Sequence, residues 1–323
     1  FNNRSVAYLL CHRESGVAPI LEGPHSFWRI LDALTSASRQ ELLDALICIA
    51  SGDKIDLPLP LHLLEDDPSE ALQPRRWRGT LGRTRVGEES TRWALSHLAG
   101  SRGNTLFPQT FEHSLLARHS DDFRPLVEQV DITCHNTRQP RVVSAPKAQA
   151  GMRPATQLDP LDAILYTAMA YEIGEKVEAA RVAETEGVVH SFRFSPTSEG
   201  QLWLISSGYP TFQERTKSLA ASGGTRVVAE TDIASFYHRI APRVLAQSLE
   251  RLGVDPRQAE VLTRLVRGWN VAGLPVGPSV SALFAETLLV PIDEMLLARG
   301  ATYVRFNDDF RIFAASEKEA RGH

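Results

Sequence analysis

Carboxylates set at the ends of apolar segments constrain this chain more than any other feature. Residues 226–240 read RVVAETDIASFYHRI and residues 302–314 read TYVRFNDDFRIFA. The β-branched run from 227 to 233 predicts a central strand whose end presents Asp232, with Gly223-Gly224 supplying the turn before it. Two apolar stretches, Tyr303 to Phe306 and Phe310 to Phe313, flank Asn307-Asp308-Asp309, the pattern of a β-hairpin with paired carboxylates at its tip. An Asp closing a buried strand is costly unless it is paired or bound to a cation. Two adjacent Asp residues repel one another until a divalent cation supplies local positive charge. Taken singly, each feature also has a plain structural reading: a helix cap or salt-bridge partner for Asp232, an Asx turn for the Asp pair.

A third segment lies between them. Gly273-Leu-Pro-Val-Gly-Pro-Ser-Val-Ser281 runs into an apolar helix carrying Leu283, Phe284, Leu288, Leu289, Ile292 and Leu296. A loop of small residues at a helix start lets another backbone, or a base and its sugar, come close. The three elements in this order are far less frequent by chance than any one alone.

The rest of the chain limits what such a site can serve. With 323 residues, 43% apolar and 23% charged, the chain is long enough for two domains and a sizeable core. A net charge of −4 gives no global attraction to nucleic acid, so such binding must come from local basic patches. One candidate is Arg75, Arg76, Trp77 and Arg78, with Arg83 and Arg85 following, where guanidinium groups could hold phosphates while the indole stacks on a base. A solvated arginine loop is the competing reading. Cys11, Cys48 and Cys134 form no C-x-x-C pair, which points to a reduced, cytoplasmic protein without a zinc site or disulfide framework. No apolar run approaches the roughly 20 residues needed to span a bilayer, so no membrane partner is expected. The start, Phe-Asn-Asn-Arg, has no signal layout and no initiator Met, so the expectation is that the true N-terminus is missing.

Residues 1–135 read as a mainly helical region of unassigned role. Ser38-x-x-Glu41 is a capping box ahead of an apolar run, and the proline-punctuated residues 56–68 read as a connector. From Arg141 the texture changes: Val142-Val143 leads to Ala145-Pro146-Lys147, a Gly-containing turn and Arg153-Pro154. Asp159-Pro160 then opens a helix whose Leu161, Ile164, Leu165, Ala168, Met169 and Ile173 predict one buried face. The main boundary is expected between about 125 and 140.

The order of a strand ending in Asp232, a Gly-Leu-Pro-x-Gly loop with its helix, and an aromatic-x-Asp-Asp hairpin resembles the palm of reverse transcriptases. Lys147 with Arg153-Pro154, the helix after Asp159 and Ser191-Phe192-Arg193-Phe194 resemble the fingers of bacterial intron-type and defence-type enzymes. The combination of 273–278 with Ala285-Glu286 and Ile292-Asp293 is most similar to abortive-infection and other phage-defence reverse transcriptases. The resemblance covers about residues 140 to 316. It implies an α+β chain with fingers at 136–225 and a palm at 226–323.

It also implies an RNA-directed DNA polymerase, a nucleotidyltransferase using two Mg²⁺ ions, with Mn²⁺ as an alternative, in a bacterial antiviral role. Asp232, Asp308 and Asp309 would be the catalytic carboxylates, with the Ile233 carbonyl as a further metal ligand. Lys147 and Arg153 would grip the triphosphate. Phe236, Tyr237, Val276 and Gly277 would line the nucleotide, Tyr237 as the aromatic gate that rejects a 2′-hydroxyl. Partners would be dNTPs, a DNA product, and an RNA template or companion non-coding RNA, with room for a homo-oligomer. An intron- or retron-type enzyme is one alternative, and an inactive palm serving as an RNA-binding or assembly module is another. Phe306-Asn307 stands where a tyrosine and a small or apolar residue are commoner, and Val276 where many relatives carry glutamine. Only residues 310–323 follow the Asp pair, so no primer-grip hairpin or thumb can be read and a truncated chain is expected.

Overall fold

The computed structural model describes residues 84–100, 104, 106–107, 111–146, 151–204 and 208–322. The capping box at Ser38, the connector at 56–68, the basic cluster Arg75, Arg76, Trp77 and Arg78, and Lys147 all lie outside the described residues. Three helices come first: α1 (Glu88–Ala99), α2 (Phe111–Arg118) and α3 (Ser120–Glu128). A hairpin of β1 (Arg141–Pro146) and β2 (Met152–Gln157) leads to the long α4 (Pro160–Ala180), then α5 (Tyr209–Ala220). The remainder is β3 (Val227–Thr231), α6 (Phe236–Arg239), α7 (Pro242–Arg251), α8 (Pro256–Gly268), α9 (Ser281–Ala298), β4 (Thr302–Phe306), β5 (Asp309–Ala314) and α10 (Glu317–Gly322). The architecture is α+β, with helices packed around two small antiparallel sheets.

Helix α4 begins where its sequence demands. Asp159 accepts the Leu161 N–H at 3.1 Å and Pro160 occupies the first turn. The expectation of one buried face is too modest, because every residue from Asp162 to Ala170 is buried. The reason is its place in the fold: α1, α8 and α9 all pack against it and leave little room for solvent. The polar groups this buries are partnered. Asp162 accepts from Trp269 Nε1 at 2.8 Å and lies 2.5 Å from His135 Nε2, while the Tyr166 hydroxyl meets Ser281 Oγ at 3.1 Å. One continuous apolar cluster joins Trp93 and Leu165 to Trp269, Phe284 and Tyr303, on both sides of residue 135.

The Asp159 carboxyl is pushed up to about 6, chiefly by burial and then by the charge of Asp162. A carboxyl raised in the folded state holds its proton more tightly there, so its stability contribution is present below about pH 4 and is lost as pH rises toward 6. Asp159→Asn keeps a capping oxygen and removes the charge. Its unfolding free energy at pH 7 is expected to exceed the parent's by about 2 kcal/mol, and the two should converge at pH 4. Urea denaturation at pH 4 to 7 checks this, and parallel pH profiles would refute it.

The second sheet has the order β3-β5-β4. The strand ending before Asp232 is therefore an edge among the described residues, not a central strand, and it is shorter than the apolar run suggested. Its outward residues Val228, Glu230 and Thr231 are exposed. The central position goes to β5, whose alternation splits its side chains between two layers. Phe310 and Ile312 join Tyr303 in the main core, whereas Phe313 and Val304 pack with Phe212 of α5.

Candidate active site

The register of the sheet brings the acidic residues together. Thr231 pairs with Phe310, so one further step along the ladder sets Asp232 opposite Asp309. Phe306 pairs with Asp309, leaving Asn307-Asp308 as the whole loop of the β4–β5 hairpin. Asn307 takes φ +53, a left-handed conformation that Asn tolerates better than most residues. The turn thereby projects Asp308 beside the end of β3.

The electrostatics record the same convergence. The Asp308 carboxyl is held above its ordinary range first by burial, then by the negative charges of Asp309, Asp232 and Glu286. Asp309 is raised by burial and by Asp232, with Arg311 partly offsetting them. None of these three carboxylates makes an ion pair among the described residues. Arg311, the nearest cation to Asp309, is engaged with Glu230 at 3.2 Å and lies over the Phe212 ring.

This hard, all-oxygen donor set with unneutralised mutual repulsion fits a divalent cation. Among the described residues no group of three or more His, Cys, Asp or Glu that could by itself hold a metal ion is present. That is compatible with Mg²⁺, which keeps several waters and substrate phosphate oxygens and does not need an all-protein cage.

The glycine-proline loop is built onto the same centre. Leu274 N–H donates to the Tyr237 carbonyl at 2.9 Å, and a Cβ at Gly273 would stand 2.1 Å from that oxygen. Gly273, at φ +67, is thus required twice over, by conformation and by contact with α6. At the other end Thr156 N–H donates to the Val276 carbonyl at 2.7 Å, which ties β2, and with it Arg153, to this loop. Gly277, at φ +128, has Asn104 and the Thr156 carbonyl within 3.1 Å of where a Cβ would lie.

The nucleotide-facing candidates separate by burial. Tyr237 is half-buried, and its hydroxyl is raised by burial and by the charges of Glu286 and Asp308, within electrostatic reach of the hairpin tip. Phe236 is only 6% exposed and belongs to the main core, so it seats Tyr237, whose ring lies 5.9 Å away, and does not itself face a ligand. Val276 is partly exposed. Arg153 is partly buried, with an Nε that has no hydrogen-bond partner among the described residues.

Sequence reasoning missed the support beneath the tip. Arg305 is fully buried on the inner face of β4, bonded to both Asp293 and Glu286 of α9. A signal was present: an Arg at an inward position of an apolar strand must find anions. Glu286 and Asp293, seven residues apart on an apolar helix, share the face that supplies them.

Residues 173–323 match the family model described as reverse transcriptase (RNA-dependent DNA polymerase). That matched part of the chain contains β3, the 273–281 loop and the Asp hairpin. No curated protein matches the chain. Among solved structures, telomerase from Candida albicans with a telomeric RNA fragment is 13% identical with a TM-score of 0.36, over 57% of this chain and 39% of that one. A partial Cas6-RT-Cas1–Cas2 complex is 16% identical with a TM-score of 0.38, over 82% of this chain and 41% of that one. The chain spans about two fifths of the length of both. Among the described residues no helix is long and apolar enough to cross a membrane.

Proposed function

We propose that this chain is the catalytic part of a bacterial reverse transcriptase that extends a primer with dNTPs, using Mg²⁺ held by Asp232, Asp308 and Asp309. The observation that supports the reading is the mutual electrostatic influence of Asp232, Asp308 and Asp309 at the end of β3 and the β4–β5 turn, where none of the three makes an ion pair among the described residues. The Ile233 carbonyl would add a further ligand. Bound there, a pair of Mg²⁺ ions lowers the pKa of a primer hydroxyl and neutralises charge on the triphosphate and departing pyrophosphate.

The protein's own contributions are positional. Residues 136–225 act as fingers and 226–323 as palm. Lys147 and Arg153 bind triphosphate oxygens, Arg153 by a two-pronged contact. Val276, partly exposed, and Gly277 line the base and sugar, the loop being held in place against Asn104 and Thr156. The template is RNA, supplied in trans or as a companion non-coding RNA, and the sequence of 273–278 favours a role in antiphage defence.

Tyr237 stands under the sugar as a gate against the 2′-hydroxyl. Tyr237→Ala is expected to raise ribonucleotide incorporation relative to deoxynucleotide by at least about tenfold, the worth of one steric contact of roughly 1.4 kcal/mol. Primer extension on an RNA template with labelled dNTPs or rNTPs measures both points. The parent protein should extend with dNTPs in Mg²⁺ and stop in EDTA. Extension that ignores EDTA would defeat the metal assignment, and unchanged sugar selectivity in the variant would defeat the gate.

A further inference from the structure

The turn that carries Asp308 is held from below. Asn307 N–H donates to Ser191 Oγ at 2.7 Å, and the Asn307 carbonyl accepts from Arg305 Nη1 at 3.3 Å. Both main-chain polar groups of the residue preceding Asp308 are thus gripped, at a position with positive φ. Ser191 is completely buried and is a junction. Its oxygen also accepts from Arg305 Nη1 at 3.1 Å, and its hydroxyl is hydrogen-bonded to Glu286.

Behind this junction lies a buried charge cluster. Arg305 makes two-pronged contact with Asp293 at 2.7 and 2.8 Å and with Glu286 at 2.8 and 3.0 Å. Glu286 is shared with Arg181 Nε at 3.1 Å. The segment bearing Ser191 is itself fastened to β4: Arg305 N–H donates to the Val188 carbonyl, and His190 N–H to the Arg305 carbonyl, each at 2.9 Å. Ser191, Arg305, Glu286 and Asp293 are all buried. Its outlet toward the site is the main chain of Asn307.

We propose that Ser191, backed by Arg305, is a positioning residue that presents the Asp308 carboxylate for divalent-cation binding. The inference rests on the reading of Asp232, Asp308 and Asp309 as a cation site. Like charges that must converge drift apart if their backbone is free to relax, and the energy of re-forming the site is then subtracted from metal binding. Ser191 prevents that relaxation at the residue next to the ligand.

The test is Mn²⁺ binding to the nucleic-acid-free full chain by electron paramagnetic resonance, alongside the Mg²⁺ dependence of dNTP incorporation. Ser191→Ala deletes the acceptor of a buried N–H. It is expected to weaken Mn²⁺ binding about tenfold, the lower end of what losing a ligand's hydrogen-bonded support costs, and to raise the half-saturating Mg²⁺ concentration by the same factor. Ser191→Cys keeps a weak acceptor and should fall between, and it serves in place of the alanine variant should that fail to fold. Ser222→Ala removes a side-chain bond to the Leu219 carbonyl at 2.7 Å that involves neither the turn nor the buried charge cluster, and should leave both readouts alone. Unchanged Mn²⁺ affinity in a folded Ser191 variant, with Asp308→Ala impaired, would overturn the positioning role alone. A parent protein that binds Mn²⁺ no better than Asp308→Ala would overturn the cation site and this inference with it.

Discussion

Asp308→Ala is expected to lower dNTP incorporation by at least about a thousandfold, corresponding to roughly 4 kcal/mol of lost transition-state stabilisation. The size follows from position. Asp308 sits in a two-residue turn against the end of β3 and feels the charges of Asp232 and Asp309. Removing it leaves two carboxylates that no longer enclose a cation. The fold should not suffer, because Asp308 makes no ion pair among the described residues. A carboxyl held above its ordinary pKa in the folded state subtracts from stability once ionised, so alanine at neutral pH should leave the melting temperature unchanged or slightly raised. Incorporation at matched Mg²⁺ and a thermal melt check both halves. Activity within tenfold of the parent would end the proposed mechanism, and a collapsed melt would mean the residue is structural.

Arg305→Met is expected to do the opposite, destabilising the whole domain by about 3 to 5 kcal/mol. Arg305 is fully buried and neutralises Glu286 and Asp293 together, with Arg181 sharing only Glu286. Truncation would strand Asp293 without a cation in a dry interior, and an uncompensated buried charge is among the costliest single defects. Arg305→Lys keeps the charge but cannot fork to two carboxylates, so an intermediate loss is expected. Urea denaturation with matched slopes measures it. A loss under about 1 kcal/mol in the methionine variant would show that Glu286 and Asp293 find other partners or stay protonated.

The two results would separate chemistry from scaffold at residues only three apart. The hairpin that carries Asp308 and Asp309 was legible because a polar triplet between two apolar runs is a turn pattern. The Asp159 cap and the Gly273 loop were legible for a similar reason: local rules about caps and positive φ need no partner. What was not legible depends on partners distant in sequence. Phe236 and Tyr237 are adjacent aromatics with equal claims in the sequence, yet one fills the core and the other stands near the tip. The strand before Asp232 has the composition of a central strand, but β5 takes the place between β3 and β4 because it pairs with both. In α4, periodicity suggested one face, and only the packing of α1, α8 and α9 reveals how far its burial extends.

The sequence by itself determined the elements: a strand running into Asp232, a glycine loop opening a helix, and a hairpin whose turn carries Asp308. These follow from short-range chemistry, namely β-branched runs, turn residues and the left-handed tolerance of Gly and Asn. Only the tertiary structure decided that Asp232 comes within electrostatic reach of Asp308 and Asp309 and that Ser191 and Arg305 hold the turn main chain. Register and buried ion pairing are set by which surfaces exclude water from one another, and that is a property of assembled layers, not of any one segment.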